Sequence, residues 1–309
     1  MSRLWAVTCL FNPAGYRIRG ENYRTFRQRL NLPLATIELA FDEPFCLSEG
    51  DAEMLIQVRG GDKMWQKERL LNLAIEQLPD SCDQVMWIDA DIVVEDRTWP
   101  SRVSEALEKF QAVQPFETIH SLDPDGKRAY ANASMASVWE REGSLSDALS
   151  KTVDRGTGAP CSGHVWAARR ELLARHGLYD GCIVGGGDTA FLCGVTGSFG
   201  DVVRVHCMGP HQTDRYMAWA EGVYRDVEGS VAAVPCEMEH LWHGSMTNRR
   251  GRQRHEELAA IGFNPYEDIE MDENRIWRWA SDKPELHRYV SDYFLARDED
   301  SLLTEVGRA

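Results

Sequence analysis

Val85-Met-Trp-Ile-Asp-Ala-Asp-Ile-Val-Val-Glu-Asp96 is a short apolar run interrupted by Asp89 and Asp91 and closed by further acid. Four apolar residues before the first carboxylate and three after the second read as a buried strand whose end carries two charges. An ionised acid removed from water needs a cation or several hydrogen bonds. Asp-x-Asp at a strand end therefore points to a divalent metal held against an anionic ligand, although the same pair also suits a solvated turn or a helix cap. The rest of the chain decides between these readings.

On the N-terminal side, Leu70, Leu71, Ala74, Ile75 and Leu78 recur at helical spacing, which predicts a helix from Gln66 to Leu78, stopped by Pro79-Asp80. Leu4 to Phe11 reads as a strand ending in the loop Asn12-Pro13-Ala14-Gly15, and Leu34 to Phe41 and Met54 to Val58 as two more, with a helix from Asn22 to Leu30 between the first two. Strand and helix alternate through the first hundred residues, the pattern of a parallel sheet with covered faces. An amphipathic helix over Ser101 to Phe110 and an extended piece, Val113 to Phe116, follow. Residues 117–158 are polar and weakly patterned, which predicts a lid or an acceptor-side insertion.

Three further motifs carry chemistry. Arg17, Arg19, Arg24, Arg27 and Arg29 follow the first strand, where ligands of α/β sheets gather; they suit a phosphate or, equally, a solvated helix face. A strand at His164 to Ala167 runs into a helix ended by Gly177, and Gly185-Gly-Gly-Asp188 then opens an apolar helix, with Asp188 where the helix dipole favours an anion. Finally His240 and His243 stand three apart, followed by Arg249, Arg250, Arg252 and Arg254; these suit a metal ligand and a phosphate clamp, or a structural histidine and a solvated helix start.

The chain has 309 residues, 43% hydrophobic and 27% charged, enough for one large α/β domain or two smaller ones. Its net charge of -15 repels nucleic acid and anionic membrane surfaces, so a polyanionic partner would need a local basic patch. The eight cysteines form no Cys-x-x-Cys pair and several sit in apolar contexts, as reduced core thiols do. The apolar start is shorter than a signal peptide's, and no stretch approaches the roughly 20 apolar residues of a membrane span. A cytoplasmic protein is expected, in the host cytoplasm if phage-encoded.

Taken in order, Asp-Ala-Asp at a strand end, Ser-Gly before a strand and helix, Gly-Gly-Gly-Asp, and His-x-x-His-Gly with arginines resemble a GT-A glycosyltransferase. The motif order is nearest to the β-4-galactosyltransferase and polypeptide-sugar-transferase branch, and the resemblance spans roughly residues 4–255. The tail, with Gly262-Phe-Asn-Pro265 and Trp277-Arg-Trp279, resembles that of bacterial and phage transferases of this type. The resemblance implies a Rossmann-like α/β fold, a mixed but mainly parallel sheet flanked by helices. Residues 1–262 would be the catalytic domain and 263–309 a helical extension packing on it.

It further implies that Asp91 and His243 bind Mn2+ or Mg2+, and that Asp188 is the general base of an inverting transfer of a hexose, from a UDP-sugar, to an acceptor hydroxyl. Arg17, Arg24, Gly186, Gly187, Arg249 and Arg250 would meet the nucleotide-sugar. Asp89 is expected to point to the other face of the strand from Asp91, orienting the ribose or a nearby arginine. Two departures stand out: Gly-Gly-Gly-Asp replaces the family's Gly-Gly-Glu-Asp, and the secretory anchor and paired cysteines of the Golgi enzymes are missing. The donor sugar is therefore not carried over. Two alternatives stay open: a 5-hydroxymethylated pyrimidine of phage DNA as acceptor, or a nucleotidyltransferase or non-catalytic nucleotide-sugar module. Residues 117–158 or 209–235 are expected to include a lid over the donor.

Overall fold

A computed structural model describes residues 3–151 and 158–301. Along the chain run β1 (Leu4–Phe11), α1 (Arg17–Arg29), β2 (Leu34–Ala40), β3 (Met54–Arg59), α2 (Lys67–Glu76), β4 (Gln84–Ile88), β5 (Ile92–Val93), α3 (Trp99–Leu107) and β6 (Ala112–Gln114). There follow β7 (Thr118–Leu122), β8 (Arg128–Ala133), α4 (Met135–Glu142), α5 (Ser146–Lys151), β9 (Val165–Arg169), α6 (Arg170–His176), α7 (Gly187–Thr196), α8 (Phe199–Val205) and α9 (Pro210–Val227). The last described elements are β10 (Val231–Ala233), β11 (Glu237–His240), α10 (Gln253–Ile261), β12 (Ile269–Met271), β13 (Trp277–Trp279) and α11 (Pro284–Leu295).

Seven strands form the central sheet in the order β10-β6-β9-β4-β1-β2-β3. It is parallel except for β9, which runs antiparallel between β4 and β6. The α/β fold expected from the sequence, a mainly parallel sheet flanked by helices, is the one observed. Successive side chains of a strand point to opposite faces, and the core obeys this: Val7, Trp87 and Trp166 pack into one apolar layer, Ala6, Met86 and Val165 into the other. The first layer is covered by α2, α6, α7 and α9, the second by α1 and α3. Phe191 of α7 meets the rings of Trp87 and Trp166 edge-on, with centroids 4.8 and 5.3 Å away, and this fixes α7 against the sheet.

Three expectations need correction. The single strand over Val85 to Val94 is two: β4 ends at Ile88, a turn closed by the Ile92 N–H donating to the Asp89 carbonyl at 3.3 Å follows, and β5 joins a second sheet, β5-β11-β7-β8. Two carboxylates cannot lie in a ladder buried on both faces, so the chain leaves the sheet where they occur. Residues 117–151 form not a loose insertion but β7, β8, α4 and α5; α4 is capped by Ser134, whose hydroxyl accepts from the Ser137 N–H, and closed by Gly143. Of the expected lid 117–158, residues 152–157 lie outside the described residues. Residues 210–227 are the helix α9, whose Tyr216, Ala220 and Val223 are buried in the core.

The C-terminal chain crosses back to the start of the fold. Asp300 accepts from the backbone N–H groups of Arg17 and Ile18 at 2.8 and 3.0 Å, satisfying the open end of α1. The Tyr16 hydroxyl meets the carbonyl of Leu295 at 2.7 Å. Residues 297–299 are thereby laid against the cavity described next. No described helix is long and apolar enough to cross a membrane.

Candidate active site

Where β4 ends, a cavity of about 250 Å³ opens, lined by β1, the Asp89–Asp91 turn, the loop before β9, the start of α7 and the segment after β11. Strand pairing delivers its first group of ligands. The β5–β11 register sets His240 opposite Ile92, and the Leu241 N–H donates to the Asp91 carbonyl at 2.9 Å, so His240 stands beside Asp91. The chain then turns back, held by the Asn22 amide donating to the Trp242 carbonyl at 2.8 Å, and returns His243 to the same point. Asp91 Oδ2 lies 3.3 Å from His243 Nε2 and 3.7 Å from His240 Nε2, and the two Nε2 atoms are 2.9 Å apart. Asp91 Oδ1 is buried and has no hydrogen-bond partner among the described residues.

One carboxylate and two imidazoles with ligand atoms within 4.8 Å of one another, one oxygen of them buried and unpaired, fit a divalent transition metal. Burial pushes the Asp91 carboxyl up, but His240, His164 and Arg249 outweigh it and hold it below the usual carboxylate range. Burial, and then the charge of Arg249, hold His243 well below the usual imidazole value, so the ring is neutral. Arg249 Nη2 meets His243 Nδ1 at 2.5 Å. Arginine can only donate, so Nδ1 accepts and Nε2 carries the ring proton. A metal bound through His243 Nε2 requires the other tautomer and therefore requires Arg249 to leave Nδ1.

A second group surrounds Lys67, which the first turn of α2 buries. Its ammonium lies 2.6 Å from Asp89 Oδ1 and 2.8 Å from Asp188 Oδ2. Burial lowers the Lys67 value, yet Asp188 and Asp89 outweigh it and hold it well above the usual lysine range. Burial also pushes Asp89 up to about 6 and the neighbouring Glu68 up to about 8, with Lys67 opposing both. Asp188 stands in the first turn of α7 behind Gly186, which adopts φ 107° as its N-cap. Gly187 has no room for more: a Cβ there would lie 2.1 Å from Glu68 Oε1.

A third group is basic. Arg19, Arg249 and Arg297 line the cavity around Glu299. Arg19 grips Glu299 with two hydrogen bonds of 2.7 and 3.0 Å, Arg297 lies 2.6 Å away and Arg249 3.7 Å. Despite its burial, Glu299 is held far below the usual carboxylate value by Arg19, Arg297 and Arg249. Three arginines against one glutamate leave two positive charges facing the cavity.

Of the residues singled out in the sequence, Asp89, Asp91, Gly186, Asp188, His243 and Arg249 line this one cavity. Gly187 lies behind it, against Glu68. Arg17 faces solvent and pairs with Glu21 at 3.2 Å, Arg24 extends along α1 beside Cys46, and Arg250 pairs with Glu257, so all three stand outside. Asp89 is not turned to an opposite face, because the strand has ended before it, and its partner is a lysine and not an arginine. Arg19 and His240, named in the sequence with the phosphate and metal candidates, also line the cavity; sequence reasoning assigned no role to Lys67, Glu68, Arg297 or Glu299. The one available signal was Gln66-Lys-Glu-Arg69, four polar residues in a row on a helix whose neighbours are apolar, and all four are buried.

No protein-family model and no curated protein matches the chain. Among solved structures it is similar to Staphylococcus aureus TarS 1-349 with UDP-GlcNAc (8% identity, TM-score 0.41), covering 79% of this chain and 60% of that one. It is also similar to the mannosyltransferase PcManGT of Pyrobaculum calidifontis with GDP-Man and Mn2+ (14%, TM-score 0.41, 99% and 76%). A third is the catalytic domain of Drosophila β1,4-galactosyltransferase 7 with xylobiose (12%, TM-score 0.32, 75% and 65%).

Proposed function

We propose that the chain is a metal-dependent glycosyltransferase that moves a hexose from a nucleoside-diphosphate sugar, a UDP-sugar by the motif resemblance, to an acceptor hydroxyl with inversion. The observation that carries this reading is one cavity with three complementary parts: the Asp91–His240–His243 trio, the surplus charge of Arg19, Arg249 and Arg297, and the Lys67-held carboxylate of Asp188. Asp91, His240 and His243 would hold the cation, and the donor set suits Mn2+ better than Mg2+ because imidazole is a poor ligand for the latter. When bound, the ion supplies Lewis-acid neutralisation of the leaving diphosphate.

The protein's own part follows from its geometry. Arg19 and Arg297 take the phosphate oxygens; Arg249 leaves His243 Nδ1 to join them, which frees the ring to adopt the tautomer a metal needs. Lys67 fixes Asp188 through Oδ2, and the other carboxylate oxygen takes the acceptor's proton as the acceptor oxygen bonds to the anomeric carbon and the carbon–phosphate oxygen bond breaks. Attack opposite the leaving group inverts the centre. Asp89 holds Lys67 from the far side and so orients the base.

Modified DNA as acceptor gains no support from the two arginine runs. Arg27, Arg29, Arg250 and Arg252 are each engaged in an ion pair within the chain, and Arg19 faces the first cavity. The test is turnover with a nucleotide-sugar followed by NMR of the product. The reading requires nucleoside diphosphate release and an inverted anomer; net retention removes Asp188 as in-line base, and pyrophosphate release identifies a nucleotidyltransferase.

A further inference from the structure

A second cavity, about 560 Å³, lies across α2 from the first. Residues two apart on a helix point to nearly opposite sides. Lys67 accordingly lines the first cavity, and Arg69, Asn72 and Glu76 line the second. Around this second space, basic groups outnumber the carboxylates that answer them. Arg170 donates to the carbonyls of Leu78 and Pro79, each at 2.7 Å, and of Cys82 at 3.2 Å. Arg215 donates to the Pro265 carbonyl at 2.9 Å and lies over the Trp277 ring, 4.9 Å from its centroid. Arg69 is 6% exposed; it reaches Asp180 Oδ2 at 3.1 Å, and its Nε is buried without a hydrogen-bond partner among the described residues.

Asp180, which is also 3.8 Å from Arg215, is the carboxylate that Arg69 and Arg215 share, while Arg170 is held by backbone carbonyls. The other charges of the rim are already paired, Arg275 with Glu76 and Arg175 with Asp226. Two positive charges are left over, in a protein of net charge -15. Burial of Arg69, together with the repulsion of Arg275, makes that surplus costly in the absence of an anion. Trp219 and Tyr179, whose ring centroids lie 5.6 Å apart with the planes tilted by 47°, give the same cavity an aromatic wall.

We propose that this cavity is a second binding site, for a small phosphate monoester: its dianionic phosphate is held by Arg69, Arg170 and Arg215, and its organic part lies against Trp219 and Tyr179. A dianion matches the surplus, and arginine presents the paired donors that phosphate oxygens accept. The volume exceeds what phosphate alone fills. The proposal is independent of what the first cavity does.

Inorganic phosphate titrated into the full chain, followed by calorimetry, tests it. Three proteins are compared: wild type, Arg215→Gln, and Arg19→Ala, which alters only the first cavity. The expected result is saturable binding, weakened about tenfold or more in Arg215→Gln and unchanged in Arg19→Ala. No saturable binding to the wild type overturns the proposal. So does binding lost in Arg19→Ala and kept in Arg215→Gln, which places the phosphate in the first cavity, and so does equal binding of acetate, which removes the preference for a dianion. Should Arg215→Gln fail to fold, the wild-type and Arg19→Ala titrations still decide.

Discussion

Glu68 shows how closely the site is set by burial. Its carboxyl is pushed up to about 8 from an ordinary 4.5, first by burial, with Lys67 opposing and Asp188 adding. A carboxyl raised in the fold binds a proton there that the unfolded chain has released, so its contribution to stability is full below 4.5 and is lost as pH rises through about 8. Glu68→Gln keeps the shape of the protonated form. Urea melts are expected to show it equal to wild type near pH 5 and increasingly more stable toward pH 9; a constant difference would mean the proton is not on Glu68. Asp91 calls for a different readout. Asp91→Asn, which keeps the shape of the side chain and removes its charge, should abolish metal-dependent turnover while the protein without metal still folds and melts cooperatively. A fully active Asp91→Asn enzyme would remove the metal assignment. At this scale the sequence was legible wherever a charge interrupted an apolar run, as Asp89, Asp91 and Asp188 do. Lys67 escaped notice because a lysine in the first turn of a helix ordinarily lies in solvent, and only the tertiary packing of α2 turns it inward.

The elements explain why those charges meet. β4 ends where the acids begin, β5 carries the chain into the second sheet, and the β5–β11 ladder then sets His240 beside Asp91. Apolar patterning revealed β1 to β3 and α2 to within a residue or two and the start of β4 but not its end, and the glycine run marked the start of α7. The second sheet was missed because β7, β8 and β11 are short, half-exposed strands with mixed side chains, and β5 is two residues long. The placement of Asp188 depends on α7, and α7 on Phe191. Phe191→Ala, which empties the contact with Trp87 and Trp166, is expected to cost about 3–5 kcal/mol by chemical denaturation. A loss below about 1 kcal/mol would show that α7 is held by something else. Gly187→Ala should damage the site through Glu68, lowering activity more than Gly209→Ala, where the nearest atom to an added Cβ is 4.0 Å away.

The whole molecule closes on itself through its C-terminal chain, which sequence reasoning treated only as packing. Residues 297–299 bring Arg297 and Glu299 into the cavity, and Asp300 caps α1 at the opposite end of the sequence. Because Glu299 is held far below its ordinary 4.5, its stabilisation is present above that value and is lost as pH falls below it. Glu299→Gln should therefore be markedly less stable at pH 7, by about 3–5 kcal/mol for a broken buried ion network, and show a shallower acid limb in a pH series of thermal melts. An unchanged acid limb would mean the arginines do not hold its charge. The central claim concerns the occupied cavity, and thermal shift tests it most directly: UDP-, GDP-, CMP- and dTDP-sugars, each with and without Mn2+, on wild type and Asp91→Asn. The account predicts a rise in melting temperature for a nucleoside-diphosphate sugar that needs the metal and disappears in Asp91→Asn. No shift with any of them, or a shift that Asp91→Asn retains in full, would contradict it.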